Sequence, residues 1–230
     1  MSVMNIDMLY LVSIWLLPVL IAITFHEAAH AFVARHLGDE TASRLGRVSL
    51  NPFRHIDPVG TILLPGLLLL ARSPFLFGYA KPVPVNFRAL HNPRSGMVLV
   101  AAAGPAMNIG LAVVAALSFH LVSYLPVTIA QWVALNLKNA LVINVVLAIF
   151  NLFPLPPLDG GRIAVGLLPN VVGQQLARLE RYGMMILIGL LIILPVLGSQ
   201  MGVDLGFVSH VISSATDAVL RGILRLTGNL

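Results

Sequence analysis

The sequence predicts an all-α polytopic membrane protein with four to five transmembrane helices and a re-entrant region. Three observations carry this. The 230 residues are 58% hydrophobic and only 10% charged, which is not the balance of a soluble domain. Asp, Glu, Lys and Arg are absent from Met8 to Phe25, between Arg94 and Lys138, between Lys138 and Asp159, and between Arg181 and Asp204. The basic residues behind the net charge of +5 sit in the segments between these runs, as topology signals do, and no basic cluster is interleaved with aromatics as a nucleic-acid surface requires. With no cysteine, the strong metal ligands available are His and carboxylate.

Span 1 covers about residues 8–34. It has no basic segment before it and no small-residue cleavage site after it, so it reads as a retained helix rather than a signal peptide. The stretch DPVGTILLPGLLLLA, 57–71, is too short to cross easily, is broken by Pro65-Gly66, and has basic residues on both sides: Arg44, Arg47 and Arg54 before, Arg72, Lys81 and Arg88 after. It therefore belongs to a re-entrant region of about 42–90. Spans 2, 3 and 4 follow at about 96–122, 132–155 and 182–199, and the uncharged turn SYLPVTIAQ joins the first two of these. The positive-inside rule then puts the N-terminus outside and the ends near Arg35, Arg94 and Arg162 at the cytoplasmic face. In the tail, about 205–226, Phe207, Val211, Ile212, Ala215, Val219 and Ile223 recur at helical spacing opposite His210, Asp217, Arg221 and Arg225, which makes an amphipathic helix. No repeat or linker divides the chain, so residues 1–230 read as a single integral-membrane domain.

The chemistry is concentrated in TFHEAAHAF, 24–32. His26 and His30 are four apart and share a helix face, so their imidazoles can reach one metal ion, with Glu27 beside them to serve a bound water. Chance would place this HExxH pattern in on the order of one shuffled chain in a few hundred, and ionisable groups at membrane depth are expensive unless paired or liganded. A catalytic zinc site needs a third protein ligand. Asp159, in NLFPLPPLDGGR at 151–162, is the candidate, although Asp-Gly-Gly after three prolines also reads as a plain turn. His30 lies near the inner end of span 1 and Asp159 just past the inner end of span 3. They meet only if those spans run parallel, which again requires 57–71 not to cross.

These residues resemble the site-2 protease family of intramembrane zinc metalloproteases. The resemblance rests on HEAAH, on N-x-x-P-x-P-x-L-D-G matched from Asn151 to Gly160, and on AAGPAMN at 102–108. It implies one zinc ion (Zn2+) per chain held by His26, His30 and Asp159, with Glu27 as catalytic base. It also implies cleavage of transmembrane-helix protein substrates within the lipid bilayer near the cytoplasmic face, and short β-strands after the first motif, where this chain has FGYAKPVPVNF at 77–87. The expected location is a prokaryotic cell membrane. There is no room for a PDZ insertion.

A helical substrate must be unwound before it is cut. Val83 and Val85, alternating with Pro82 and Pro84, suit an edge that holds the unwound segment by β-addition; the other reading is an extended loop that seals the site. Asn151 is a candidate for holding substrate, by its place in the family motif, whereas Asn108 reads as interhelical glue. The same His, Glu and Asp residues would also serve a divalent-metal transporter or sensor, but neither repeated halves nor a polar path between the two faces is present.

Overall fold

The computed structural model describes residues 2–55, 57–63, 67 and 81–230, and among these no strand occurs. Helix α1 runs Ser2–His36, and a single turn, α2, follows at Thr41–Arg44. A π-type turn occupies Pro58–Leu63. Helices α3, Pro93–Ser118, and α4, Val127–Asn151, are joined by a short 3-10 segment. Next come α5, Asp159–Leu167, and α6, Asn170–Arg178. Helices α7, Glu180–Ile188, and α8, Leu194–Met201, are continuous through a π segment at Gly189–Ile193, and α9, Phe207–Leu226, ends the chain. Four candidate spans are long and apolar enough to cross a membrane: Leu9–His36, Pro93–Tyr124, Val127–Asn151 and Glu180–Met201. They match the four expected spans. Exposed Leu9, Leu16, Leu17, Val114, Leu121 and Ile192 suit a surface solvated by lipid.

Small residues let three of these helices approach closely. Ala28, Ala31 and Ala34 on α1 are fully or almost fully buried, as are Ala101, Ala112 and Ala116 on α3. Helix α9 closes the far side of α3 and α4, where Ile223 packs with Ala112, Ala115, Ala116, Leu141 and Val145. The amphipathic tail is thus a packed helix of the bundle.

Hydrogen bonds give α1 and α4 a common direction. Near their N-terminal ends the Trp132 indole donates to Ser13 Oγ at 2.9 Å and Asn139 Nδ2 donates to the Ile14 carbonyl at 2.9 Å. At the other end, Asp159, just beyond α4, lies against His26 and His30 of α1. The parallel arrangement follows. Pro154, Pro156 and Pro157 end α4 and carry the chain around to start α5 at Asp159. A Cβ on Gly160 would collide with the backbone of Leu152, and one on Gly161 with the backbone of Leu155 and Pro156. The two glycines are a packing requirement more than a turn signal. Arg94, at the start of α3, holds the far end of α5: its guanidinium donates to the carbonyls of Gly166 and Leu168 and to Asn170 Oδ1.

The strands expected over 77–87 are not found in the part that is described, 81–87; residues 77–80 and most of 64–80 lie outside the described residues. Among the described residues, 81–86 form no helix or strand, and three of their amides bond to groups elsewhere in the fold. Pro82 and Pro84 have none, Lys81 donates to the His55 carbonyl, Val83 to Glu27 and Asn86 to Asp39. Val83, 8% exposed, packs with Ala31 and Ala42, and Val85 and Leu90 extend that contact along α1. Asp57 caps the π turn by accepting from the amides of Val59 and Gly60.

Asp39 anchors this segment. Its carboxylate is 1% exposed and accepts from the Thr41 hydroxyl, the Thr41 amide at 2.9 Å and the Asn86 amide at 2.7 Å. Burial pushes its pKa up, but the hydrogen bonds from Thr41 and Asn86 and the charge of Arg44 outweigh that and hold the carboxyl below its ordinary value. A carboxyl depressed in the folded state adds stability that is present above its unfolded pKa, about 3.9, and is lost as pH falls below about 4. Thermal melts of the detergent-solubilised chain between pH 3 and 7 (about that range spans the titration) are expected to show Asp39→Asn less stable near neutrality and less sensitive to acid than wild type. Parallel pH profiles for the two would contradict the anchor.

Candidate metal centre

His26 and His30 project one turn apart from α1, and Asp159 reaches them from the first turn of α5. All three are buried, at 7%, 8% and 7% exposure. The two Nε2 atoms are 3.1 Å apart, and Asp159 Oδ2 lies 3.2 Å from His26 Nε2 and 3.3 Å from His30 Nε2. Among the described residues this is the group of His, Asp or Glu side chains placed to hold a metal.

The protonation pattern tells a metal site from an ordinary hydrogen-bonded cluster. His30 Nδ1 lies 2.7 Å from the Val100 carbonyl, which can only accept, so the proton of a neutral His30 ring is on Nδ1 and its Nε2 is a lone pair. Asp159 Oδ2 is buried and accepts no hydrogen bond. Lone pairs therefore face one another across about three ångströms. A cation among them turns the repulsion into coordination, and the spacing fits: an ion with tetrahedral bonds of about 2.0–2.1 Å keeps its ligand atoms about 3.3–3.4 Å apart. The donor set of two imidazoles and one carboxylate is one that zinc accepts, leaving a position open.

Helix α3 supplies the wall behind the two rings. Val100, Gly104 and Asn108 recur every four residues and so face α1 together. A Cβ on Gly104 would fall on His30 Nε2 and, at 2.6 Å, on His26 Cε1 and Nε2. Asn108, fully buried, has its Oδ1 2.6 Å from His26 Nδ1. Its reading as glue alone missed this contact. The signal lay in the spacing of residues 104 and 108 within AAGPAMN, which matches the four-residue step of His26 and His30.

The remaining site candidates lie outside the His26, His30 and Asp159 group. Glu27, half-buried, accepts from the Val83 amide at 2.8 Å through Oε2. Val83 and Val85 turn their side chains into the packing against α1. Asn151, half-buried at the end of α4, donates to the Leu147 carbonyl of its own helix at 3.0 Å.

Fold and site together define an integral membrane metalloprotein. Comparison with known proteins makes the class specific: residues 126–194 match the model of peptidase family M50. YwhC of Bacillus subtilis (strain 168), provisionally named a zinc metalloprotease, is 38% identical over 184 residues, which span 76% of this chain and 78% of YwhC. Rip2 of Mycobacterium tuberculosis (strain ATCC 25618 / H37Rv), named in the same way, is 27% identical over 88% of this chain and 77% of its own length. No solved structure gives a significant match. The chain belongs to peptidase family M50, the site-2 protease family, and is a membrane metalloprotease. The names of both relatives give zinc as their metal.

Gly104→Ala tests the wall. The added methyl meets both rings, so the purified variant is expected to bind zinc at least about tenfold more weakly than wild type, in line with the loss of other supports behind metal ligands. Unchanged affinity in a chelator competition would mean that the rings are not set by α3.

Proposed function

We propose that residues 1–230 act as a single-domain intramembrane zinc endopeptidase that cuts membrane-embedded helical substrates near the cytoplasmic face. The observation that carries the proposal is the convergence of His26 Nε2, His30 Nε2 and Asp159 Oδ2 at zinc-ligand spacing with Glu27 in the adjoining helix position. In this reading the three residues hold one zinc ion per chain. Zinc so held supplies Lewis acidity, polarising the scissile carbonyl and acidifying water.

Glu27 accepts the proton of the attacking water and delivers it to the leaving amine. His26, His30 and Asp159 keep their geometry through the step because each is fixed by the bundle: the imidazoles against α3, the carboxylate by the ends of α5. Placement near the cytoplasmic face is supported by basic residues, Arg35, Arg88, Arg94, Arg162 and Arg178 among them, in the segments at the site's end of the bundle. The N-terminus is then outside, and the relatives' bacterial sources favour a prokaryotic cell membrane.

Substrate handling falls to Val83, Val85 and Asn151. Residues 81–86 belong to no helix or strand of their own, and backbone pairing along them gives an unwound substrate partners for its amides and carbonyls. Val83 and Val85 contribute through the main chain, since their side chains are engaged with α1. The Val83 amide already bonds Glu27, so substrate binding and release of the base are coupled. Asn151, next to the proline-rich turn, completes the substrate-binding set by exchanging its intrahelical bond for one to substrate.

Glu27→Gln separates metal binding from proton transfer. Reconstituted with a transmembrane peptide substrate, it is expected to retain zinc and lose about 10²–10⁴-fold in cleavage rate. Cleavage at the wild-type rate with zinc retained would remove Glu27 as the base.

A further inference from the structure

An imidazole serves as a metal ligand only through the nitrogen that lacks a proton, so some feature of the protein must choose that nitrogen. For His26 the choice can be traced back through two asparagines to backbone carbonyls. The Ala140 carbonyl only accepts, so the group of Asn144 that faces it at 2.8 Å is the amide NH₂. Asn144 Oδ1 is thereby turned toward Asn108 at 2.8 Å, and Asn108 must meet it with its own NH₂, which also donates to the Ala22 carbonyl at 3.2 Å. The remaining atom of Asn108, Oδ1, lies 2.6 Å from His26 Nδ1 and can only accept. The proton of neutral His26 is thus held on Nδ1, leaving the Nε2 lone pair toward Asp159 and His30.

We propose that Asn108 is a positioning residue of the metal centre, selecting the His26 tautomer and ring orientation that present Nε2 to the metal, and that Asn144 acts through Asn108 by fixing its amide. This rests on the zinc reading above. Both asparagines are buried, at 0% and 1% exposure, and Asn108 with its ring partner joins α3 to α1 while Asn144 joins α4 to α3. One amide relay therefore connects all three helices around the site. An amide serves here where a carboxylate would add another charge to an apolar interior already holding Asp159. Asn139 is the contrasting case: it bridges α4 to the Ile14 carbonyl of α1 and touches no ring, so it is glue and nothing more.

The difference between positioning and glue is measurable. Selective ¹⁵N-histidine spectra of the full chain in micelles at about pH 8, where free imidazole is neutral, are assigned with single His→Gln variants. They should show His26 protonated at Nδ1 with and without zinc. Chelator competition should show zinc bound about 10- to 100-fold more weakly by Asn108→Leu, with a smaller loss in Asn144→Leu. Asn108→Asp, which keeps an acceptor for His26, should bind more tightly than Asn108→Leu. Asn139→Leu should lower the melting temperature and leave zinc affinity unchanged. A His26 proton on Nε2 in the metal-free wild-type chain overturns the relay even if no variant folds, and so does wild-type zinc affinity in Asn108→Leu. A wild-type chain that shows the Nδ1 proton but takes up no zinc overturns the metal reading instead, and the two failures are thereby distinguished.

Discussion

Three electron pairs aimed at one point in an apolar bundle are the constraint around which this protein is built. With both rings neutral and protonated at Nδ1, and no cation among them, His26 Nε2, His30 Nε2 and Asp159 Oδ2 at 3.1–3.3 Å repel one another. With one, the same spacing is that of a tetrahedral zinc site. The bundle must therefore hold a costly arrangement in place. Alanines and Gly104 bring α3 against the histidine face of α1, the prolines after α4 turn the chain so that Asp159 opens α5, and Arg94 holds α5 at its other end. Gly104 carries a cost in helix propensity, and a Cβ in its place would fall on both imidazole rings.

Segment 81–86 is held on the opposite principle. Where Asp159 Oδ2 faces two ring nitrogens and receives no amide hydrogen, the carboxylates of Glu27 and Asp39 each receive one from segment 81–86. Glu27 of α1 and Asp39, just beyond its end, accept amide hydrogens from Val83 and Asn86, three residues apart on segment 81–86, which is thereby held at two points. Asp39 is buried and anchored by three donors; Glu27 is half-buried and holds one amide. The anchor at Asp39 is the stronger.

Much of this was legible in the sequence because the bilayer imposes strict rules on it. Uncharged runs of the right length located four spans, and the parallel direction of spans 1 and 3 was read from the distribution of basic residues and agreed with the condition that His30 and Asp159 meet. HEAAH was readable because helical periodicity alone brings residues four apart onto one face. What was not legible depended on contacts between elements. The prolines at 82 and 84 suggested an edge, whereas the bonds of the Val83 and Asn86 amides to the carboxylates of Glu27 and Asp39 have no local signature. Asn108 looked like any buried amide of a membrane helix, since nothing local shows that its neighbour across the interface is His26. Asp159-Gly160-Gly161 had the composition of a surface turn, and only the backbone packed against both glycines explains why they carry no side chain.

Zinc K-edge X-ray absorption on the purified full-length chain tests the central claim most directly, since it reads the metal's own surroundings. The account predicts one zinc per chain, four-coordinate, with nitrogen and oxygen ligands at about 2.0–2.1 Å, multiple-scattering features of two imidazoles, and loss of those features in the His26→Gln, His30→Gln double variant. A six-coordinate oxygen shell without imidazole scattering, or a spectrum that the double variant leaves unchanged, would contradict it.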